Sequence, residues 1–232
     1  MTIAMHALPA TDPISKSFEP ASARADLQAL PQLWRGRARV HHEAVEATGH
    51  AALDHYLPGG GLPRAALTEL IVPPGTLELR FLLPLCVRLS AQAQLALVAP
   101  PWVPNAMALA AHEVCIQSLW CVQASSDRDA LWSAEQLLRA QHFALVVCWQ
   151  RQGDERASKR LQLAAEQAQR TAILCLPTQA RHMLSSAAVR IELKPHEGEL
   201  ALTVSKCRGT HARPSMRLQA PRVASGAWSQ SR

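Results

Sequence analysis

Leu57 to Leu89 reads LPGGGLPRAALTELIVPPGTLELRFLLPLCVRL, and the fold class is decided there. A glycine-rich turn feeds a short apolar run, Leu67 to Val72, which predicts a buried strand. A Pro-Pro-Gly loop follows, and then a leucine-rich segment predicted to be helical as far as its own proline, Pro84. In nucleotide-binding folds a strand, loop, helix order brings loop amides and a helix N-terminus around phosphates, because unpaired N–H groups and the helix dipole both favour an anion. A working phosphate loop reads G-x-x-x-x-G-K-[ST]. Aligned from Val72, this chain offers Pro73, Pro74, Gly75, Thr76, Leu77 and Glu78, so a carboxylate falls where the lysine belongs. Nucleotide binding at this loop is expected to be poor, and no cofactor is expected.

Outward from that stretch, strands and helices alternate. Ala51 to Tyr56 predicts a short helix, Gln94 to Ala99 a strand closed by Pro100-Pro101, Val103 to Val114 a helix, and Leu119 to Gln123 a short strand. The clearest helix follows Ser126 and Asp127, either of which can cap it, with Leu131, Ala134, Leu137 and Leu138 forming one apolar face. Phe143 to Trp149 is apolar throughout, as the centre of a parallel sheet requires. Arg151 to Ala157 reads as a loop, Lys159 to Gln169 as a helix and Thr171 to Leu176 as a buried strand. Ala188 to Leu193 and Glu199 to Ser205 then alternate around Pro195-His196-Glu197-Gly198, predicting a hairpin. Together these imply an α/β fold with a mostly parallel central sheet and a C-terminal antiparallel hairpin.

The 232 residues, 48% of them hydrophobic, suit one domain with tails. Residues 1–33 are rich in Ala, Pro and Ser and are expected to form a flexible arm; residues 34–209 form the domain, starting near Trp34; residues 210–232 are expected to be a basic, flexible tail. No apolar run approaches the ~18 residues of a membrane span, and a cytoplasmic location is expected. The net charge of +6 resides at the C-terminal end, where six basic residues from Lys206 onward meet no acid and the rest of the chain balances 18 basic against 18 acidic residues. Lys206, Arg208, Arg213, Arg217 and Arg222 are therefore the candidate contacts to a partner or to DNA. The six cysteines show no C-x-x-C and mostly lie in apolar runs, which suits buried thiols. His41-His42 has no partner ligands in register, and no metal is expected.

Catalytic motifs are missing from the sequence: there is no G-x-S-x-G, no H-E-x-x-H and no dinucleotide glycine fingerprint. The signature Thr48-Gly49, Leu53-Asp54, Leu57-Pro-Gly-Gly-Gly-Leu-Pro-Arg64 and Leu67-Thr-Glu-Leu70 resembles the stretch before the phosphate loop of RecA-like recombinases. Ala187 to Leu193 and Val204 to Arg208 resemble the hairpin at the far end of that core. The resemblance covers about Trp34 to Gly209, and within that superfamily the chain resembles the ImuA family, which is grouped with SulA-like proteins. It implies a RecA-like core whose nucleotide site has degenerated: the lysine position falls on Glu78, the water-activating glutamate near Pro101 and the magnesium-site aspartate on Cys148. It further implies a non-enzymatic accessory protein of DNA-damage-induced (SOS) translesion synthesis and mutagenesis. The implied partners are an ImuB-like pseudo-polymerase and an error-prone replicative-type DNA polymerase, with RecA a further candidate and DNA touched directly or through those partners. A SulA-like cell-division inhibitor and a weak ATP-dependent DNA-binding RecA paralogue are the alternatives.

Overall fold

The computed structural model describes residues 44–73, 77–197, 199–211 and 213–218. The expected N-terminal arm, the start of the domain at Trp34, the His41-His42 pair, the loop residues Pro74, Gly75 and Thr76, and Arg222 lie outside the described residues.

A short ladder comes first: β1 (Val45–Glu46) pairs antiparallel with β2 (Leu62–Pro63), enclosing helix α1 (Ala51–Tyr56). The main sheet then takes β3 (Leu67–Val72), β4 (Gln94–Val98), β5 (Leu119–Val122), β6 (Phe143–Trp149), β7 (Thr171–Pro177), β8 (Val189–His196), β9 (Glu199–Cys207) and β10 (Ser215–Leu218). Its spatial order is β10-β9-β8-β3-β7-β6-β4-β5. The six strands from β8 to β5 run parallel, and β9 and β10 extend the sheet antiparallel. The protein is thus a mixed α/β fold with a mostly parallel eight-stranded sheet. β3 and its successor β4 are separated by β7 and β6, unlike the 3-2-1-4-5-6 order of dinucleotide-binding sheets, where strands 1 and 2 are adjacent.

Helices cover both faces. α2 (Leu77–Ser90) and α1 pack with Phe81, Leu82, Leu85 and Leu53 against Leu70, Leu95, Leu145 and the inner residues of β8 to β10. α4 (Asp127–Arg139) and α5 (Glu155–Ala168) pack with Leu131, Leu138 and Leu161 against Leu67, Ile71, Val146 and Leu174 on the other face. Alternation along β6 divides its side chains between these two cores, Leu145, Val147 and Trp149 in the first and Val146 and Cys148 in the second. Both ends of α5 have local chemistry: Asp154 caps the N-terminus by accepting from the Arg156 N–H, and Gln169 ends it in the left-handed region.

The structure corrects the sequence reading at four places. α2 runs through Pro84 to Ser90, because packing of its apolar face outweighs the one hydrogen bond that the proline cannot make. The helix predicted over Val103 to Val114 shrinks to α3 (Ala106–Ala111), capped by the Asn105 side chain, which accepts from the Met107 and Ala108 N–H groups. Alanine propensity alone has little to bury there, and α3 has no buried residue. Part of the stretch read as a loop, Glu155 to Ala157, forms the first turn of α5 under the Asp154 cap. The sheet also continues past Gly209: β10 pairs with β9 in register Leu218 to Leu200 and Met216 to Leu202, so the part of the expected tail at 215–218 is a strand whose Leu218 is buried in the first core.

Thiol burial leads to a direct expectation. Cys86, Cys148 and Cys175 are buried, and burial pushes the thiols of Cys86 and Cys148 up to about 12. Cys115 is exposed, and hydrogen bonds from Ser118 hold its thiol below the ordinary value. Iodoacetamide labelling of the native protein followed by peptide mass spectrometry should modify Cys115 first, leaving Cys86, Cys148 and Cys175 intact until denaturant is added. Early labelling of Cys148 would mean that β6 is not packed as described.

Candidate functional site

Two places on this fold bring polar residues together in ways that bear on function. The first lies where ligands of open α/β sheets bind, outside the carboxyl ends of the parallel strands. A cleft of about 480 Å³ opens there. Val72 ends β3, Ala99 follows β4, Gln123 follows β5, Trp149 ends β6 and Leu176 and Pro177 close β7; all six line it. Ala99 adopts φ 52°, and the turned backbone leads directly into Pro100 and Pro101, which form one wall.

Glu78 stands at this cleft, in the first turn of α2, with only 2% of its surface exposed. Its Oε1 accepts a hydrogen bond from the Trp149 indole N–H at 3.0 Å. Its Oε2 is buried and has no partner among the described residues. Burial pushes the carboxyl up from its ordinary value, against the smaller opposing effects of its own backbone N–H and the Trp149 hydrogen bond. Gln150, next along the chain, also lines the cleft with a buried and unpartnered side-chain oxygen. Among the described residues lining the cleft, Arg151 is the single Lys or Arg, and its guanidinium donates to the Ser125 carbonyl at 3.0 Å and lies 3.8 Å from the Asp127 carboxylate. Asp127 in turn accepts from the Arg151 and Gln152 backbone N–H groups. Among the described residues the cleft is therefore lined by buried acceptors and apolar walls, and its arginine is already bonded.

Of the three positions implied to have lost nucleotide chemistry, Glu78 and Pro101 line this cleft. Cys148 does not; it faces the α4 and α5 side and packs in the second core. The residue that sequence reasoning missed is Trp149, which supplies the hydrogen bond that Glu78 needs. Its signal was its place as the last residue of an apolar parallel strand, since strand ends at this side of the sheet project into the ligand crevice.

The Glu78 carboxyl should make stability depend on pH. With a raised folded value, the native protein keeps this proton at a pH where the unfolded chain has released it. Stability then falls as pH rises from 4.5 through the raised value, and the loss persists above it. Glu78→Gln keeps an oxygen for Trp149 and removes the charge, so the variant should be more stable than wild type by about 1 kcal/mol or more above neutral pH. The gain should shrink as pH approaches 4.5. Urea midpoints across pH read this directly, and a constant difference would show that Glu78 titrates normally.

The second place is the polar face of the antiparallel extension. Leu200, Leu202 and Leu218 point into the first core, so their neighbours Ala201, Thr203, Ser215 and Arg217 face the opposite side, which has no member of the second core from β9 or β10. Lys194, paired with Ala201 across β8 and β9, is exposed beside them. Arg213 and Arg217 are exposed as well. Lys206 is instead tied to the fold, its ammonium donating to the Ser185 carbonyl at 2.6 Å, with desolvation lowering its pKa. Arg208 lies 3.8 Å from Glu166. The structure thus sets Arg217 and Lys194 on either side of Ala201, a neighbour that the count of tail charges overlooked, leaves Arg213 exposed before β10, and assigns Lys206 an internal partner.

A third surface is apolar. Trp102, Val103 and Met107 on the β4–β5 connection are 69%, 78% and 83% exposed, and Trp120 on the edge strand β5 is 54% exposed. No helix among the described residues is long and apolar enough to cross a membrane, and no group of three or more His, Cys, Asp or Glu among them is placed to hold a metal ion. The chain matches no protein-family model and no curated protein sequence.

Proposed function

We propose that this protein is an adaptor of the ImuA type, a RecA-like domain that works through surfaces rather than catalysis within DNA-damage-induced translesion synthesis. The observation that carries the reading is the cleft at the strand ends: in place of a cation for phosphate it holds the buried Glu78 carboxyl, bonded to Trp149. Electrostatic stabilisation of a transferred phosphoryl group needs fixed positive charge, and Arg151, the single Lys or Arg among the described residues lining the cleft, is already bonded to Ser125. The strand order supports the RecA-like part of the proposal, because β3 sits between the late strands β7 and β8 with β4 displaced. The exposed Trp102, Val103 and Met107 support the adaptor part, since large apolar side chains grouped on a surface mark protein contacts.

Affinity capture of the tagged protein from DNA-damaged cells of its own host tests this. Recovery of the ImuB-like protein, the error-prone polymerase or RecA is expected, and Trp102→Ala/Met107→Ala should reduce it. Because β10 belongs to the sheet, the basic face is better probed by Arg213→Glu/Arg217→Glu than by truncation after Gly209. Micromolar binding of ATP with magnesium by calorimetry, or capture of a tubulin-like division protein alone, would overturn the proposal.

A further inference from the structure

Two unpartnered acceptors share one cleft. Glu78 Oε2 and the Gln150 side-chain oxygen are both buried, both lack a hydrogen-bond donor among the described residues, and both belong to residues lining the cavity at the strand ends. The indole of Trp149 lines the same cavity, fixed by its bond to Glu78 Oε1. Buried oxygens left without donors are costly, and a ligand that supplied donors would relieve both.

We propose that this cleft is a guanidinium site, in which an alkylguanidinium donates to Glu78 Oε2 and the Gln150 oxygen while its plane lies against the Trp149 indole. Among cations, this group fits for three reasons. A hard metal ion requires more oxygen ligands than the two unpartnered oxygens supply, because the second carboxylate lining the cleft, Asp127, already accepts from the Arg151 and Gln152 N–H groups. An ammonium is a compact, strongly hydrated point charge that loses more on entering walls made by Val72, Ala99, Pro100 and Leu176. A guanidinium is weakly hydrated, presents several N–H donors in a rigid plane and stacks on aromatic rings. The cavity volume leaves room for the alkyl stem along the apolar walls. Such a group can come from a free small molecule or from an arginine side chain of a protein. The inference goes beyond the adaptor proposal and stands or falls independently of it, because it is tested on the purified protein with defined compounds.

The test is calorimetric titration of the full chain with four compounds: N-acetyl-arginine N-methylamide, free arginine, the blocked lysine analogue and the blocked citrulline analogue. The blocked citrulline has nearly the same shape and no charge. Binding of an arginine compound at least about tenfold tighter than of citrulline or lysine is expected, as charge-assisted hydrogen bonds predict. Tighter binding of free arginine than of the blocked form assigns the site to a small molecule, and the reverse order assigns it to a protein side chain. Glu78→Gln keeps the Trp149 contact and should weaken arginine binding by about tenfold or more. Gln150→Leu, which removes the second acceptor with little change in volume, should weaken it less. No binding of either arginine compound, equal binding of citrulline, or undiminished binding by Glu78→Gln overturns the proposal.

Discussion

Arg190→Met is expected to destabilise the fold by about 3–5 kcal/mol, because it leaves a carboxylate buried without its counter-charge. Glu69 lies in the central strand β3 with 0% exposure, in a stretch that is otherwise apolar but for Thr68. Its Oε2 accepts from Arg190 Nε at 2.6 Å, and its Oε1 accepts from the Ser158 hydroxyl at 2.5 Å. Arg190 Nη1 goes on to the carbonyls of Arg181 and Met183, and the Ser158 hydroxyl accepts from the Ser186 N–H. One ion pair thus joins β3, β8, α5 and the segment after β7. Its removal as a pair should cost much less than the loss of the arginine alone, since Glu69→Leu/Arg190→Met leaves no buried charge. Recovery will be incomplete, because the Arg181 and Met183 carbonyls still lose their donor. Urea denaturation of wild type, both single variants and the double variant closes the cycle. If Arg190→Met costs no more than the double variant, the Glu69–Arg190 pair does not hold β3 to β8 as described.

That network also shows where the sequence could be read and where it could not. Apolar runs such as Phe143 to Trp149 and Thr171 to Leu176 announce buried strands by composition alone, and the structure has both as parallel neighbours. The Ser126 cap was legible because capping is local chemistry, and Ser126 accepts from the Asp129 N–H. Glu69 within Leu-Thr-Glu-Leu was not legible in the same way. Its counter-charge comes from a residue 121 positions later, and no local rule connects them. Likewise Glu78 was readable as an intrusion of negative charge, but its bond to Trp149 spans 71 positions. β10 was hidden because four residues with one buried leucine carry too weak an alternation to distinguish a strand from a basic tail.

Gly49→Ala is the second large effect expected, about 3 kcal/mol from a backbone cost of about 1–2 kcal/mol together with overpacking of about 1–3 kcal/mol. Gly49 has φ +83°, in the left-handed region, and a Cβ there would sit well inside van der Waals contact of the Pro84 Cβ. Gly60 is the control: its φ is +84°, but nothing lies within 4 Å of the added carbon. Gly60→Ala should therefore carry only the backbone part, and equal losses in the two variants would show that the approach to Pro84 is not tight. The surrounding residues explain why this contact matters. The Thr48 N–H and hydroxyl both donate to Asp54 Oδ1, at 2.9 and 2.8 Å, and the His50 ring bonds to the Phe81 carbonyl at 2.9 Å while stacking on the Phe81 side chain. Leu53 is fully buried against the same core. Thr48, Gly49, Leu53 and Asp54 thus seat the chain against α2 at its proline, and none of them lines the cleft. A signature of this kind specifies packing. None of its contacts is made by Glu78, Pro101 or Cys148, so the signature fixes the seat at Pro84 and leaves those three positions free to differ.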